Sequence, residues 1–325
     1  MVQSPTHGYS ANLDHSVWLH RLAVLTAGAT LFLIFVGALV TSKGAGLAVP
    51  DWPTTFGHNM FLYPLSKMVG GVFYEHSHRL AGSIVGLFTM GLVLLLWVKE
   101  SRRWLRWLGV VALIAVVMQG VLGGLRVILL EQTLAVIHAV FAQAFFALMV
   151  SLALFTSAGW KDQEHTIRSD DVGRIRRLSV LTSIVIYVQI AFGAVLRHTG
   201  TGLGEHLLGA VIVAILLFLL VDLVLKNRQD LPRLVHAANT LRVLLILQVT
   251  LGMGAYVGGL MTPESRMASF TVVLLPTVHV VTGALMLATS LVLTLRVYGL
   301  PAPRPLADPR ITPIRPEGGA EELIA

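Results

Sequence analysis

At 325 residues, 55% hydrophobic and only 13% charged, the chain cannot be an ordinary soluble globular protein, and the solvent for most of it is lipid. Its formal charge of +7 would suggest nucleic acid in a soluble protein; here the basic residues gather in short loops between apolar runs, so they report topology and no nucleic-acid partner is expected. With no cysteine, disulfides, thiolate metal sites and cysteine nucleophiles are excluded, and any metal must be held by histidine, methionine or carboxylate.

The first 17 residues carry no Lys or Arg, unlike a secretory or organelle leader, which favours a bacterial plasma membrane. Apolar runs of about 20 residues can each cross a hydrocarbon core about 30 Å thick. They predict spans near 18–41, 75–98, 104–125, 132–156, 176–197, 203–226, 237–260 and 270–296. The expected fold is all-α, a polytopic membrane protein of eight transmembrane helices.

The second connection carries Lys99, Arg102 and Arg103, the fourth carries Lys161, Arg168, Arg174, Arg176 and Arg177, and the sixth carries Lys226, Arg228 and Arg233. By the positive-inside rule these face the cytoplasm, together with both termini. The long first connection, 42–74, has only Lys43 and Lys67 and faces outside; its Pro50-Asp51-Trp52-Pro53 stretch combines turn formers with an aromatic suited to the membrane interface. Residues 300–325, rich in proline and charge, read as a disordered cytoplasmic tail.

An internal repeat divides the chain. Gly37-Ala38-Leu39-Val40-Thr41-Ser42-Lys43-Gly44-Ala45-Gly46-Leu47 matches Gly193-Ala194-Val195-Leu196-Arg197-His198-Thr199-Gly200-Thr201-Gly202-Leu203 without a gap at the glycines and the final leucine. Gln119-Gly120-Val121-Leu122-Gly123 echoes Gln248-Val249-Thr250-Leu251-Gly252. Residues 1–160 and 161–299 are therefore expected to form two four-helix bundles related as a parallel repeat.

Of twelve histidines, His20 and His76 lie at the ends of spans, whereas His78, His138, His206 and His279 lie inside the even-numbered ones, all in the outer half of the bilayer. The repeat pairs His78 with His206 and His138 with His279. Each unit thus offers two histidines from two helices at matching depth, which suits bis-histidine ligation of a haem. A hydrogen bond to a neighbouring helix accounts equally for a single such histidine; four at symmetric positions favour a site.

Gly44, Gly46, Gly123, Gly124, Gly200, Gly202, Gly252 and Gly254 near the outer helix ends allow close approach of a macrocycle or of another helix. Arg79, Arg126 and Arg197 share that level and could clamp haem propionates or snorkel to the interface. Glu75 opens the second span three residues before His78, on the same face, either as an acid beside a haem or as a dipole-favoured residue at a helix start. The second unit has Leu203 at the corresponding place, so only one unit has an acid beside its haem position, as a site transforming its haem would need.

Glu75-His76-Ser77-His78-Arg79 resembles the Glu-x-x-His-Arg motif of haem A synthases, and Gly46-Leu47-Ala48-Val49-Pro50-Asp51-Trp52-Pro53 resembles their first outer loop. Gln119-Gly120-Val121-Leu122-Gly123-Gly124-Leu125-Arg126-Val127, followed by His138, is similar to their third and fourth helices, and the resemblance runs from about residue 18 to 297. It implies an enzyme that oxidises the C8 methyl of haem O to the formyl group of haem A for terminal oxidases. Two hydroxylations would give a geminal diol that loses water. His206 and His279 would hold a resident haem b that passes electrons to the other site. His78 and His138 would hold the substrate or product haem, with Glu75 as the essential acid. A haem O synthase and an electron donor are the implied partners, besides membrane lipid. Some members carry a cysteine pair in the first outer loop, where this chain has Val49 and Thr55, so no disulfide-linked mechanism operates in it.

Two other readings stay open: a di-haem electron carrier or haem-handling assembly protein, against which Glu75 in one unit only is the feature, and a parallel-repeat transporter, which lacks the expected broken or charge-lined spans.

Overall fold

The computed structural model describes residues 11–161, 171–261 and 270–300, with side chains described for 17–160, 171–258 and 271–300. The expected tail beyond residue 300 and Arg168 lie outside the described residues.

The elements in order are α1 (Ala11–Ser42), α2 (Gly71–Lys99), α3 (Arg103–Leu129), α4 (Gln132–Thr156), the single turn α5 (Ala158–Lys161), α6 (Val172–Thr199), α7 (Leu203–Lys226), α8 (Pro232–Met261) and α9 (Phe270–Gly299). Eight of these are long and apolar enough to cross a membrane, as the hydropathy pattern predicts. Most overrun the apolar windows at one or both ends. Helical hydrogen bonding continues into the headgroup layer, where Lys and Arg keep their charge in water while their stems lie along the helix. The overrun corrects one placement. Because α2 starts at Gly71, Glu75 lies in its second turn, with no acidic residue in the first, so a favourable dipole at the helix start does not account for it.

Threonine hydroxyls inside the helices bond back one turn, Thr26 to Leu22, Thr30 to Thr26, Thr89 to Val85 and Thr282 to Val278. Lipid offers them no other partner. Apolar side chains such as Phe32, Leu94, Ile114, Phe218 and Ile246 are exposed, a surface that water would not tolerate but hydrocarbon requires.

α1 packs on α2, α4 and α9, and α6 packs on α7, α9 and α4. α1, α4, α6 and α9 thus form an inner group, with α2, α3, α7 and α8 outside it. One apolar core joins α1 to α4 through Leu19, Leu92, Leu96, Leu105 and Met149. A second joins α6 to α9 through Ile175, Leu217, Leu220, Leu241 and Leu293. Between them Ile34, Phe146, Ala284 and Ala288 tie α1, α4 and α9 together, reinforced by the hydroxyl pair Ser42–Thr277 at 2.9 Å, while Ser183–Ser290 at 2.8 Å joins α6 to α9.

The two connections that precede the first histidine of each half, α1 to α2 and α6 to α7, differ sharply. α1 and α2 are separated by a loop with two short 3-10 turns, Met60–Leu62 and Leu65–Lys67. α6 and α7 are joined only through Gly200-Thr201-Gly202, the two glycines at φ of +74° and +84°, the left-handed region that glycine enters without steric cost.

Candidate functional site

The histidines predicted from the repeat come together in two pairs. The rings of His78 on α2 and His138 on α4 have centroids 6.4 Å apart with planes at 79°. His206 on α7 and His279 on α9 repeat this at 6.2 Å and 68°. A metal–imidazole nitrogen bond is about 2 Å and the ring centroid lies about an ångström behind its nitrogen, so two rings on opposite sides of one metal stand roughly 6 Å apart. Both pairs have this separation. Among the described residues no group of three or more His, Cys, Asp or Glu could hold a bare ion, so two ligands per metal suit an iron whose remaining positions a macrocycle fills.

Each ring lies against a glycine of the preceding long helix. A Cβ built at Gly37 would stand 2.8 Å from Cε1 of His78, at Gly123 3.0 Å from His138, at Gly193 3.1 Å from His206, and at Gly252 2.9 Å from His279. Of the glycines singled out in the sequence, Gly123 and Gly252 serve here; Gly124 receives the Trp52 ring, Gly46 the Arg126 guanidinium, and Gly254 the Leu275 side chain. Gly37 and Gly193 carry the same duty unannounced. A glutamine four residues ahead of three of these glycines meets the same histidines. Gln119 Nε2 donates to the His138 carbonyl at 2.9 Å, Gln189 Nε2 donates to the His206 carbonyl at 2.7 Å and lies 3.0 Å from its Nδ1, and Gln248 Nε2 lies 3.1 Å from His279 Nε2. The recurring Gln-x-x-x-Gly spacing was the available signal for them.

The loop between α1 and α2 is clamped to α2 within a turn of His78. The Val49 N–H donates to Glu75 Oε2 at 2.8 Å, and Arg79 Nη2 donates to Glu75 Oε1 at 2.9 Å. Arg79 also donates to the carbonyls of Asp51, Thr54 and Val49. Four hydrogen bonds occupy both terminal nitrogens and leave only its Nε–H for a bound anion. Asp51 braces the turn by accepting from Thr54, Phe56 and Gly57. Burial alone would raise its carboxyl, but the bonds from Gly57, Thr54 and Phe56 outweigh that and hold it at about 2. Thr55 bonds His76 Nδ1 at 3.1 Å, and Tyr63 packs on the same ring. The two positions where some relatives carry cysteine, Val49 and Thr55, are both fully buried, so a polar network fastens this loop without a disulfide.

The remaining basic residues divide. Arg197 donates to the Ala38 carbonyl and to Ser42 Oγ, fastening α6 to α1. Arg126 makes no hydrogen bond or ion pair among the described residues, although its guanidinium is packed against Gly46 and lies within electrostatic reach of Glu75 and His78. His198, which the sequence reading passed over, lies within electrostatic reach of Arg126, Arg197 and His138. His20, as expected of a span end, bonds the Ala153 carbonyl away from both pairs.

Fold and site together define a polytopic helical membrane protein with two pairs of facing histidine rings, one of them next to an acid-and-arginine-clamped loop. The chain belongs to the COX15-CtaA family, described as cytochrome oxidase assembly protein, whose model matches residues 20–206. That stretch holds His78, His138 and His206 and stops short of His279, a narrower span than the 18–297 over which the motifs resemble haem A synthases. Relatives include the heme A synthase of Shouchella clausii, 30% identical over 57% of this chain and 61% of that protein. That of Bacillus pumilus is 27% identical over 57% and 60%, and that of Listeria monocytogenes 30% over 39% and 41%. The chain thus spans about three fifths of the length of the first two relatives.

Proposed function

We propose that the protein is a haem A synthase that oxidises the C8 methyl of haem O to a formyl group. The observation that carries this reading is a difference between two otherwise matched histidine pairs: among the described residues, His78 and His138 alone have a loop clamped to their helix through Glu75 and an uncommitted arginine within electrostatic reach.

In this reading residues 1–160 form the substrate unit and residues 161–299 the cofactor unit, two copies of one four-helix bundle. His78 and His138 hold the substrate haem, and Arg126, with free N–H donors, takes a propionate. Arg79 and Glu75 hold the loop over the site, excluding water, and Glu75 supplies the carboxylate for proton transfer near the oxidised carbon. Two successive hydroxylations of one carbon, each taking one oxygen atom from external dioxygen while the other leaves as water with two protons and two electrons from the donor, would convert methyl to hydroxymethyl and then to a geminal diol, which loses water to leave the aldehyde. His206 and His279 fit a resident haem b, which when bound supplies one-electron transfer to the other unit. A bacterial plasma membrane with both termini cytoplasmic is the proposed setting, with a haem O synthase and an electron donor as partners.

The test is to express the chain with a source of haem O and analyse the extracted haems. Haem A or its hydroxylated precursor is the expected product. Two bound haems with neither product would replace this reading with that of a di-haem electron carrier.

A further inference from the structure

Three of the four intramembrane histidines have a glutamine as partner from the preceding long helix. The exception is His78. Its ring lies on Gly37 as His206 lies on Gly193, but four residues before Gly37 stands Leu33, where the repeat places Gln189. Among the described residues no carboxamide reaches His78, whose ring is left with the Leu33 backbone carbonyl alone; its Nδ1, like that of His138, is buried without a hydrogen bond.

On the other side of the repeat, Gln189 holds His206 at two points, its ring nitrogen Nδ1 at 3.0 Å and its backbone carbonyl at 2.7 Å. The Oε1 atom of Gln189 is buried with no donor. Turning the carboxamide over presents that oxygen to an Nδ1–H, the tautomer that leaves the opposite nitrogen of His206 bare for a metal. Such outer partners orient a ligand ring and raise its basicity, and their loss typically weakens metal binding about 10–100-fold.

We propose that Gln189 is a positioning residue that makes His206 a permanent axial ligand, and that Leu33 at the equivalent place makes His78 the exchangeable one. The inference rests on the haem reading of the two pairs and deepens it. A cofactor site keeps its haem, whereas a substrate site must admit one haem and release another, and the absent carboxamide lies in the unit that also carries Glu75 and the loop. The difference resides in one side chain on α1, remote in sequence from either histidine.

The experiment uses the full chain purified with its bound haems. Carbon monoxide is titrated onto the reduced protein, and low-spin electron paramagnetic resonance signals are recorded on the oxidised form. In the unaltered protein carbon monoxide should displace an axial histidine at one haem, the one lost in His78→Ala. Leu33→Gln should weaken that binding about tenfold and shift that haem's signal. Leu33→Met, similar in size without a carboxamide, should not. Gln189→Leu, which installs in the second unit the residue the first already tolerates, should open the other haem to carbon monoxide. Unchanged titrations and spectra in Leu33→Gln and Gln189→Leu, with both haems present, would overturn the assignment while leaving the haem reading intact. A folded chain that holds no haem at either pair would strike the haem reading itself, and this inference with it.

Discussion

Arg79 Nη2 stands 2.9 Å from Glu75 Oε1, one helical turn apart on α2, and both side chains are almost wholly buried under the outer loop. The other oxygen of Glu75 is held by the Val49 N–H and the rest of Arg79 by three loop carbonyls, so the pair works as the pin of the loop. Removing one partner of a buried charge pair leaves the other uncompensated, commonly at about 3–5 kcal/mol; here the surviving carbonyl bonds to Arg79 reduce that to about 1–3 kcal/mol.

Glu75→Ala should therefore fold and keep haem at His206 and His279 while oxidation of haem O falls by roughly 100-fold or more. Glu75→Gln, which retains an acceptor for Val49 and Arg79, should keep the loop in place and still lose oxidation. Haem extraction beside hydrogen exchange of the loop amides separates the two effects. Full conversion by Glu75→Gln would reduce Glu75 to a structural pin.

Gly37→Ala and Gly252→Ala should disturb one site each. The added methyl would arrive 2.8 Å from His78 or 2.9 Å from His279, closer than a Cβ can sit, so the ring must move. Alanine favours the helix by about 1 kcal/mol over glycine, so the fold should hold while haem content at that pair falls. Gly82→Ala and Gly86→Ala, where nothing lies within 4 Å, are the matched controls. Optical quantification of bound haem reads the outcome.

Arg126→Ala should weaken binding of the substrate haem by about 10–100-fold, the range of one charge-assisted hydrogen bond at about 1.5–3 kcal/mol. Arg197→Ala should instead loosen the contact of α6 with α1, since that guanidinium already bonds Ala38 and Ser42. Titration of haem O into each purified variant distinguishes a lost ligand contact from lost packing.

Acid should release the turn at Asp51. Its folded carboxyl lies at about 2, below the ordinary value of 3.8, so the stabilisation is fully present above about pH 4 and is lost as pH falls towards 2. Protection of the Phe56 and Gly57 amides, which donate to this carboxylate, measured against their intrinsic exchange rates at each pH, should fall over that window. In Asp51→Ala exchange at both should be fast throughout.

The eight spans were legible because a lipid solvent leaves so few solutions: an apolar run of sufficient length must close its own backbone hydrogen bonds, and a helix does so. His78, His138, His206 and His279 stood out for the same reason, as costly groups at matching depth within a repeat. Depth along a helix is a sequence property, and so are the spacings that align Gln119 with Gln248 and Gly37 with Gly193.

Azimuth and partner are not. Arg79, Arg126 and Arg197 were indistinguishable as basic residues at one level. Only the packing of loop carbonyls around Arg79 and of α1 against Arg197 separates them from Arg126, which has no hydrogen bond among the described residues. Glu75 read either as an acid beside a haem or as a helix-start acid until α2 proved to begin a turn earlier, and its partner Val49 lies 26 residues away across a loop whose path no local pattern encodes. The sequence by itself determined the membrane fold and the four histidines, since hydrophobicity and repeat spacing act along one helix at a time. The tertiary structure decided which side chains meet those histidines and which arginine stays free, since these depend on how separate helices and the outer loop pack together.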